Sequence, residues 1–263
     1  MRDNKVKRTL AQGGVAAGTM MMEFATTGIA RLAAGAGADF AVYDMEHTGW
    51  SMETVRMLMA TARAADIVPL VRPPAGQHHF ISRVLDLGAM GIVVPFVNTA
   101  DDARRIAAAA RYPPAGRRGA AFGVAHDDYA SGDIRDTMRR TNDEVLVIGL
   151  IETREGADNV EEIAAVDGID VLWIGQFDLT LSLGIPGQFE HPEFVRASRR
   201  VLDACQRAGK AAGFGSIHLE EIEAARERGF RFLVYTADLW IYQRALREGL
   251  RRMRPAATDQ DPV

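Results

Sequence analysis

VLVIGLIETREGADNVEEIAAVDGIDVLWIGQFDL (Val145–Leu179) reads as an apolar run, a polar stretch with helical spacing, and a second apolar run. Val145–Ile151 and Val171–Ile174 are continuous and rich in β-branched residues, the pattern of strands buried on both faces of a parallel sheet. The stretch between them, Thr153–Ala165, carries apolar residues at helical spacing, so the unit is a βαβ crossover. The first strand ends at Glu152 and the second runs through Gly175 to Asp178, which puts both carboxylates at the C-terminal edge of the sheet. Paired carboxylates without a cation directly beside either point to a hard divalent metal.

Working outward, the same alternation continues in both directions. Strands are expected at Val15–Met20, Phe40–Tyr43, Val68–Val71, Gly91–Val94, Ala211–Phe214 and Phe232–Tyr235. Helices are expected at Phe24–Ala34, Met52–Ala64 with Ser51 as N-cap, His78–Leu87, Thr99–Ala110, Pro192–Ala208, Leu219–Arg228 and Leu239–Met253. Asp101 and Asp102 suit the positive N-terminal end of their helix. Eight strands, each followed by a helix, predict a single (β/α)8 TIM barrel over residues 1–254, with a polar tail at 255–263 expected to be disordered. A doubly wound sheet is the alternative, but no GxGxxG follows the first strand. Val6–Gln12 reads as a short lid helix, and Tyr112–Asp143 is too long for a simple connection, which suggests a loop that covers a site.

Composition narrows the class. The chain has 263 residues, 48% of them hydrophobic, enough for a large core. Its formal charge of -4, with both signs interspersed, leaves no basic field for nucleic acid. MRDNKVKRTL has no apolar h-region, and no run approaches the ~20 apolar residues of a membrane span. Cys205, the single cysteine, reads as a packed small hydrophobe and suits a cytoplasmic setting.

In such a barrel the chemistry stands at the C-terminal strand ends. Those ends carry Asp44, Glu46 and His47 after the second strand, Arg72 after the third, Glu152 after the fifth and Asp178 after the sixth. Gly213, Gly215 and Ser216 follow the seventh, Thr236 and Asp238 the eighth. Each also has a structural reading: Glu152 and Asp178 as helix caps, Arg72 as a partner of Asp44 or Glu46, His47 as a packed histidine. Their convergence on one rim suggests instead a metal, an anionic substrate and a proton transfer. His126 beside Asp127 and Asp128 resembles a second metal cluster but lies in the long loop, without a rigid scaffold. None of the three lysines, Lys5, Lys7 and Lys210, stands at a C-terminal strand end, which argues against a Schiff base.

YDMEHTGW (Tyr43–Trp50), LVRPP (Leu70–Pro74), RYPPAGRRG (Arg111–Gly119), IETREG (Ile151–Gly156) and IGQFDLTLSLGIPG (Ile174–Gly187) resemble the HpcH/HpaI family of class II, metal-dependent pyruvate aldolases. The resemblance covers roughly residues 5–253. It implies a (β/α)8 barrel whose last helix is exchanged between protomers, in a homohexamer built as a trimer of dimers. It also implies retro-aldol cleavage of a 4-hydroxy-2-oxoacid to pyruvate and an aldehyde. By the same resemblance Glu152 and Asp178 are the ligands of Mg2+ or Mn2+, with Co2+ an alternative. Arg72 binds the pyruvyl group, and His47 handles the proton with Asp86 as partner, in its own or a neighbouring subunit.

General chemistry fits these roles. A divalent ion stabilises an enolate as a Lewis acid, a guanidinium binds a carboxylate bidentately, and a histidine suits proton transfer near neutral pH. Two positions depart from the family. Leu150 stands where several members have glutamine, and Gln176-Phe177 where Pro-Ala is common, so Phe177 is expected to reshape the substrate pocket, with Ser216 also on its wall. His218 is a further candidate for reaching substrate. The rival readings are oxaloacetate decarboxylation at the same site, a non-catalytic keto-acid-binding barrel, and a CoA-thioester lyase, the last without a basic patch for the CoA phosphates.

Overall fold

The computed structural model describes residues 2–253; the C-terminal tail expected to be disordered lies outside them. Eight parallel strands close into a barrel in sequential order, the first pairing with the last. They are β1 (Ala16–Met21), β2 (Phe40–Asp44), β3 (Val68–Arg72), β4 (Gly91–Val94), β5 (Leu146–Ile151), β6 (Val171–Ile174), β7 (Ala211–Ser216) and β8 (Phe232–Ala237). The helices are α1 (Lys5–Ala11), α2 (Ile29–Gly35), α3 (Met52–Ala62), α4 (His78–Asp86), α5 (Ala100–Ala110) and α6 (Ile134–Glu144). They continue with α7 (Arg154–Asp158), α8 (Val160–Ala164), α9 (Gln176–Ser182), α10 (Pro192–Arg207), α11 (Leu219–Arg228) and α12 (Asp238–Met253).

Two apolar layers hold this shape. Inside the barrel, Phe40, Val42, Val68, Leu70, Leu146, Ile148, Leu150, Trp173, Phe232 and Val234 form one buried cluster, with Phe40 and Phe232 stacked at 4.2 Å. The alternate strand residues, such as Ala41, Tyr43, Val71, Val147 and Leu172, pack outward under the helices. Strands buried on both faces explain why the sequence shows continuous apolar runs rather than alternation. Gly18 permits a tight approach: a Cβ there would lie 2.4 Å from the Phe40 carbonyl oxygen.

Local signals behave as read. Ser51 Oγ accepts from Thr54 N–H at 3.1 Å, and Thr99 forms a capping box with Asp102. Cys205 is buried, and burial pushes its thiol up to about 12. The expected Thr153–Ala165 helix divides at Asn159 into α7 and α8.

Two readings of the loops need correction. The expected lid, α1, is a plug at the opposite end of the barrel. Val6 and Leu10 join the inner cluster, while Asn4 Nδ2 donates to the carbonyls of Met90 and Glu144, beside the starts of β4 and β5. The long loop likewise does not cover its own chain's cavity. Buried Arg118 pairs with Asp86 at 2.6 Å and lies over the Tyr112 ring, while His126 Nε2 is 2.9 Å from Tyr112 Oη. These contacts draw the loop along α4 toward its C-terminal end. His126, Asp127 and Asp128 are taken up there, Asp128 by an ion pair with Arg63. Among the described residues no helix is long and apolar enough to cross a membrane.

Candidate active site

The inward alternation that fills the barrel also builds the site. One step beyond the last apolar rung, Phe40-Val42 leads to Asp44, Val68-Leu70 to Arg72, and Ile148-Leu150 to Glu152. Asp44 and Arg72 are register partners on β2 and β3. Arg72 Nε donates to Asp44 Oδ1 at 2.7 Å and Nη2 to Oδ2 at 2.9 Å, a bidentate fork. The fully buried Asp44 also accepts from the N–H groups of Glu46 and His47, at 3.0 and 3.2 Å, so one carboxylate orients both the arginine and the turn bearing the histidine.

Glu46 lies behind this pair. Its Oε2 is 3.2 Å from Arg72 Nη1 and 3.7 Å from His47 Nε2, yet it is buried without a hydrogen-bond partner. Burial raises the Glu46 carboxyl pKa, with Arg72 and His47 opposing and the carboxylates Asp44 and Asp178 adding to the rise. His47 itself is half exposed on the cavity wall, and the nearest carboxylate is that of Glu46.

Glu152 is released from capping because Thr153 takes that role, its side chain accepting from Gly156 N–H. The buried Glu152 carboxylate accepts from Phe96 N–H at 2.9 Å, with Phe96 held at a left-handed φ of 54°. Its other side lies against bare backbone: a Cβ on Gly175 would be 2.4 Å from Glu152 Cγ and 2.6 Å from Oε1. Burial raises its pKa to about 7, reinforced by Glu46 and Asp178 and opposed by the Phe96 N–H and Arg72. Asp178 is not on the strand extension expected from the sequence. β6 stops at Ile174, and Asp178 sits in the first turn of α9, where a carboxylate meets the positive end of the helix.

His47, Arg72, Glu152, Phe177, Asp178 and Ser216 line one cavity of about 220 Å3, as does Leu150. Leu150 is buried against the inner core, in register with Trp173. Ser216 Oγ donates to Glu221 and accepts from His218 N–H, so it chiefly organises the turn into α11. His218 is the N-cap residue of α11 and is not part of the lining. Asp86 stands apart as well; within the chain it pairs with Arg118, not with His47. Sequence reasoning passed over Met20, Met22, Trp173, Ile217, Val234 and Trp240, which also line the wall. Met20 and Trp173 follow the inward alternation of β1 and β6, while Trp240 stands on α12, and apolar side chains announce no chemistry.

Glu152 and Asp178 fit a hard cation. Both offer only oxygen, and Glu152 is a buried carboxylate whose like-charged neighbours favour neutralisation. Among the described residues no group of three or more His, Cys, Asp or Glu is disposed to hold a metal. A two-carboxylate site suits an ion that keeps water and substrate oxygens in its shell. The lysines are elsewhere: Lys7 and Lys210 bond the carbonyls of Val145 and Val166, and Lys5 pairs with Asp66.

A guanidinium, a histidine and two carboxylates on one cavity are the kinds of group a class II aldolase, a carbon–carbon lyase, uses. Residues 20–243 match the HpcH/HpaI aldolase/citrate lyase family, and the chain belongs to it. It is 35% identical over 248 residues to 2-keto-3-deoxy-L-rhamnonate aldolase of Shigella sonnei, covering 94% of this chain and 92% of that one. An HpcH/HpaI aldolase structure from Desulfitobacterium hafniense superposes with a TM-score of 0.91 at 30% identity, covering 95% and 97% of the two chains. A structure of an HpcH/HpaI aldolase/citrate lyase family protein from Burkholderia cenocepacia gives 0.90 at 33%, covering 96% and 100%. Family membership sets the non-catalytic reading aside and implies a divalent metal.

Proposed function

We propose that the chain catalyses the reversible cleavage of a 4-hydroxy-2-oxoacid to pyruvate and an aldehyde, in the cytoplasm, with Mg2+ or Mn2+ held by Glu152 and Asp178; Co2+ also suits these donors. The observation that carries this reading is the single cavity in which the Asp44-held Arg72 meets His47, Glu152 and Asp178. Bound there, the cation would act as a Lewis acid that favours negative charge on the 2-oxo oxygen.

The remaining work falls to the chain. Arg72, gripped by Asp44 along its Nε–Nη2 edge, offers its other N–H groups to the substrate carboxylate. His47 takes the proton of the 4-hydroxyl, the C3–C4 bond breaks, the aldehyde leaves, and the electron pair remains on the pyruvyl half as an enolate. A proton returned to C3 completes pyruvate. Asp86 would support His47 from a neighbouring subunit, since its own chain places it against Arg118.

Assembly as a homohexamer, a trimer of dimers exchanging α12, accords with that helix. Only Asp238 of α12 is buried, while Ile241, Tyr242, Leu246, Leu250 and Met253 are exposed. The reading is tested by supplying 4-hydroxy-2-oxoacids and measuring products. Pyruvate and aldehyde are expected in equal amounts, stopped by EDTA and restored by Mn2+. Carbon dioxide and pyruvate from oxaloacetate, with no aldehyde from any hydroxy-oxoacid, would replace it with decarboxylation.

A further inference from the structure

The charged groups of the cavity occupy one arc of the barrel: β2, β3, the end of β5 and the start of α9. The opposite arc is mostly apolar, with the Ser216 and Thr236 side chains as its polar members. Met20 and Met22 come from β1 and its end, Trp173 from β6, Ile217 from the end of β7, Val234 from β8 and Trp240 from the first turn of α12. Phe177 adds an aromatic ring from α9.

Three of these side chains are large and open to solvent at the cavity: Phe177 is 55% exposed, Ile217 39% and Trp240 42%. Single exposed apolar residues are ordinary, but several converging on one concavity mark a binding surface. The wall is also held in place. Phe177 meets Phe189 edge to face at 5.2 Å. Trp240 follows the buried Asp238, whose carboxylate accepts from the N–H groups of Met22, Glu23 and Phe24.

The polar capacity of this wall is small. Among the described residues Arg72 is the only arginine or lysine in the lining, and Asp44 and Glu46 already engage it. The Ser216 hydroxyl is taken up by Glu221 and His218. Gln176 Oε1 is the one lining side-chain atom that is buried without a partner. An acidic aldehyde would bring a second carboxylate toward Glu152 and Asp178 with no further arginine or lysine of this chain in the lining to meet it. A polyhydroxylated one would bury several hydroxyls against little more than the Gln176 amide and the Thr236 hydroxyl, and unmet hydroxyls weaken binding.

On the aldolase reading above, we propose that the aldehyde half of the substrate is uncharged and carries an apolar, preferably aromatic, body packed against Phe177, Ile217 and Trp240. Aldol addition of pyruvate to 3-phenylpropanal, glyceraldehyde and succinic semialdehyde, with the Mn2+-loaded protein, tests it. The expected kcat/KM for 3-phenylpropanal exceeds each of the others by about tenfold or more. A lead for glyceraldehyde or succinic semialdehyde overturns the proposal. Trp240→Ala should narrow the 3-phenylpropanal to glyceraldehyde ratio about fivefold through KM, and Trp240→Phe should largely restore it. An unchanged ratio in Trp240→Ala also overturns it. Deuterium exchange into pyruvate without any aldehyde separates the two levels. Exchange with the wrong aldehyde order rejects only this inference, whereas no exchange removes the aldolase reading with it.

Discussion

Asp44 holds Arg72 by both carboxylate oxygens, at 2.7 and 2.9 Å, from the register-paired ends of β2 and β3. The arginine is thereby fixed from the barrel side and presented to the cavity, and the same carboxylate anchors the turn carrying His47. On the proposed function, substrate binding and proton transfer share one buried support.

Asp44→Asn is therefore expected to do more than a surface charge change. It leaves the buried guanidinium short of its main counter-charge, a loss of about 3–5 kcal/mol of stability when one partner of a buried pair is removed. It also lets Arg72 and His47 drift, which should reduce kcat/KM about 100-fold even in protein that folds. Denaturant titration and steady-state kinetics check both; near-normal activity would show that Arg72 is oriented by other contacts.

The pH dependence follows from Glu152. Its pKa rises from 4.5 to about 7, chiefly through burial. Between those values the folded protein keeps a proton that the unfolded chain has released. Metal-free stability should therefore fall as pH rises through this window, by at most about 3.5 kcal/mol at ~1.4 kcal/mol per pH unit. Glu152→Gln should flatten the slope. A cation needs the carboxylate form, so Mn2+ binding near pH 6 should release a proton and tighten toward pH 7. Calorimetry in buffers of different ionisation enthalpy measures this; binding without proton release would contradict it.

Gly175→Ala tests the seating of Glu152 without touching a candidate ligand. The added Cβ would fall 2.4 Å from Glu152 Cγ, so the carboxylate must turn away. Affinity for Mn2+ should drop about 10–100-fold, the range seen when groups that orient a ligand are altered. Unaltered affinity would show that Glu152 binds no metal in this position.

Much of this was legible in the sequence for one physical reason. Strands buried on both faces leave continuous apolar runs, so Val145–Ile151 and Val171–Ile174 could be placed closely, and the residue just after β5, Glu152, could be named. Asp178, read as a metal ligand on a strand extension, lines the cavity from α9 instead, because the short apolar Trp173-Ile174 run gives no sign of where β6 yields to α9. The Phe96 N–H on Glu152 and the path of Tyr112–Asp143 rest on backbone conformation and on distant partners such as Arg118 with Asp86. Neither leaves a local pattern. The apolar arc was visible only through Phe177, since Met20, Met22 and Trp240 look like core until the barrel closes.

The lysines allow a chemical check. Lys7 and Lys210 are tied to carbonyls away from the cavity and Lys5 pairs with Asp66, so no Schiff base can form with pyruvate at the site. Borohydride added with pyruvate should leave activity intact, and progressive inactivation would point to a lysine nucleophile.

The proposed function requires this cavity to turn pyruvate into its enolate with a divalent cation at Glu152 and Asp178. Proton NMR of pyruvate in D2O with the Mg2+-loaded protein, and no aldehyde, tests it most directly. The methyl signal should disappear by exchange, stop with EDTA, resume with added Mg2+, and fail in the Glu152→Ala, Asp178→Ala variant. A methyl signal that persists with the metal-loaded protein, or exchange that survives EDTA, would contradict it.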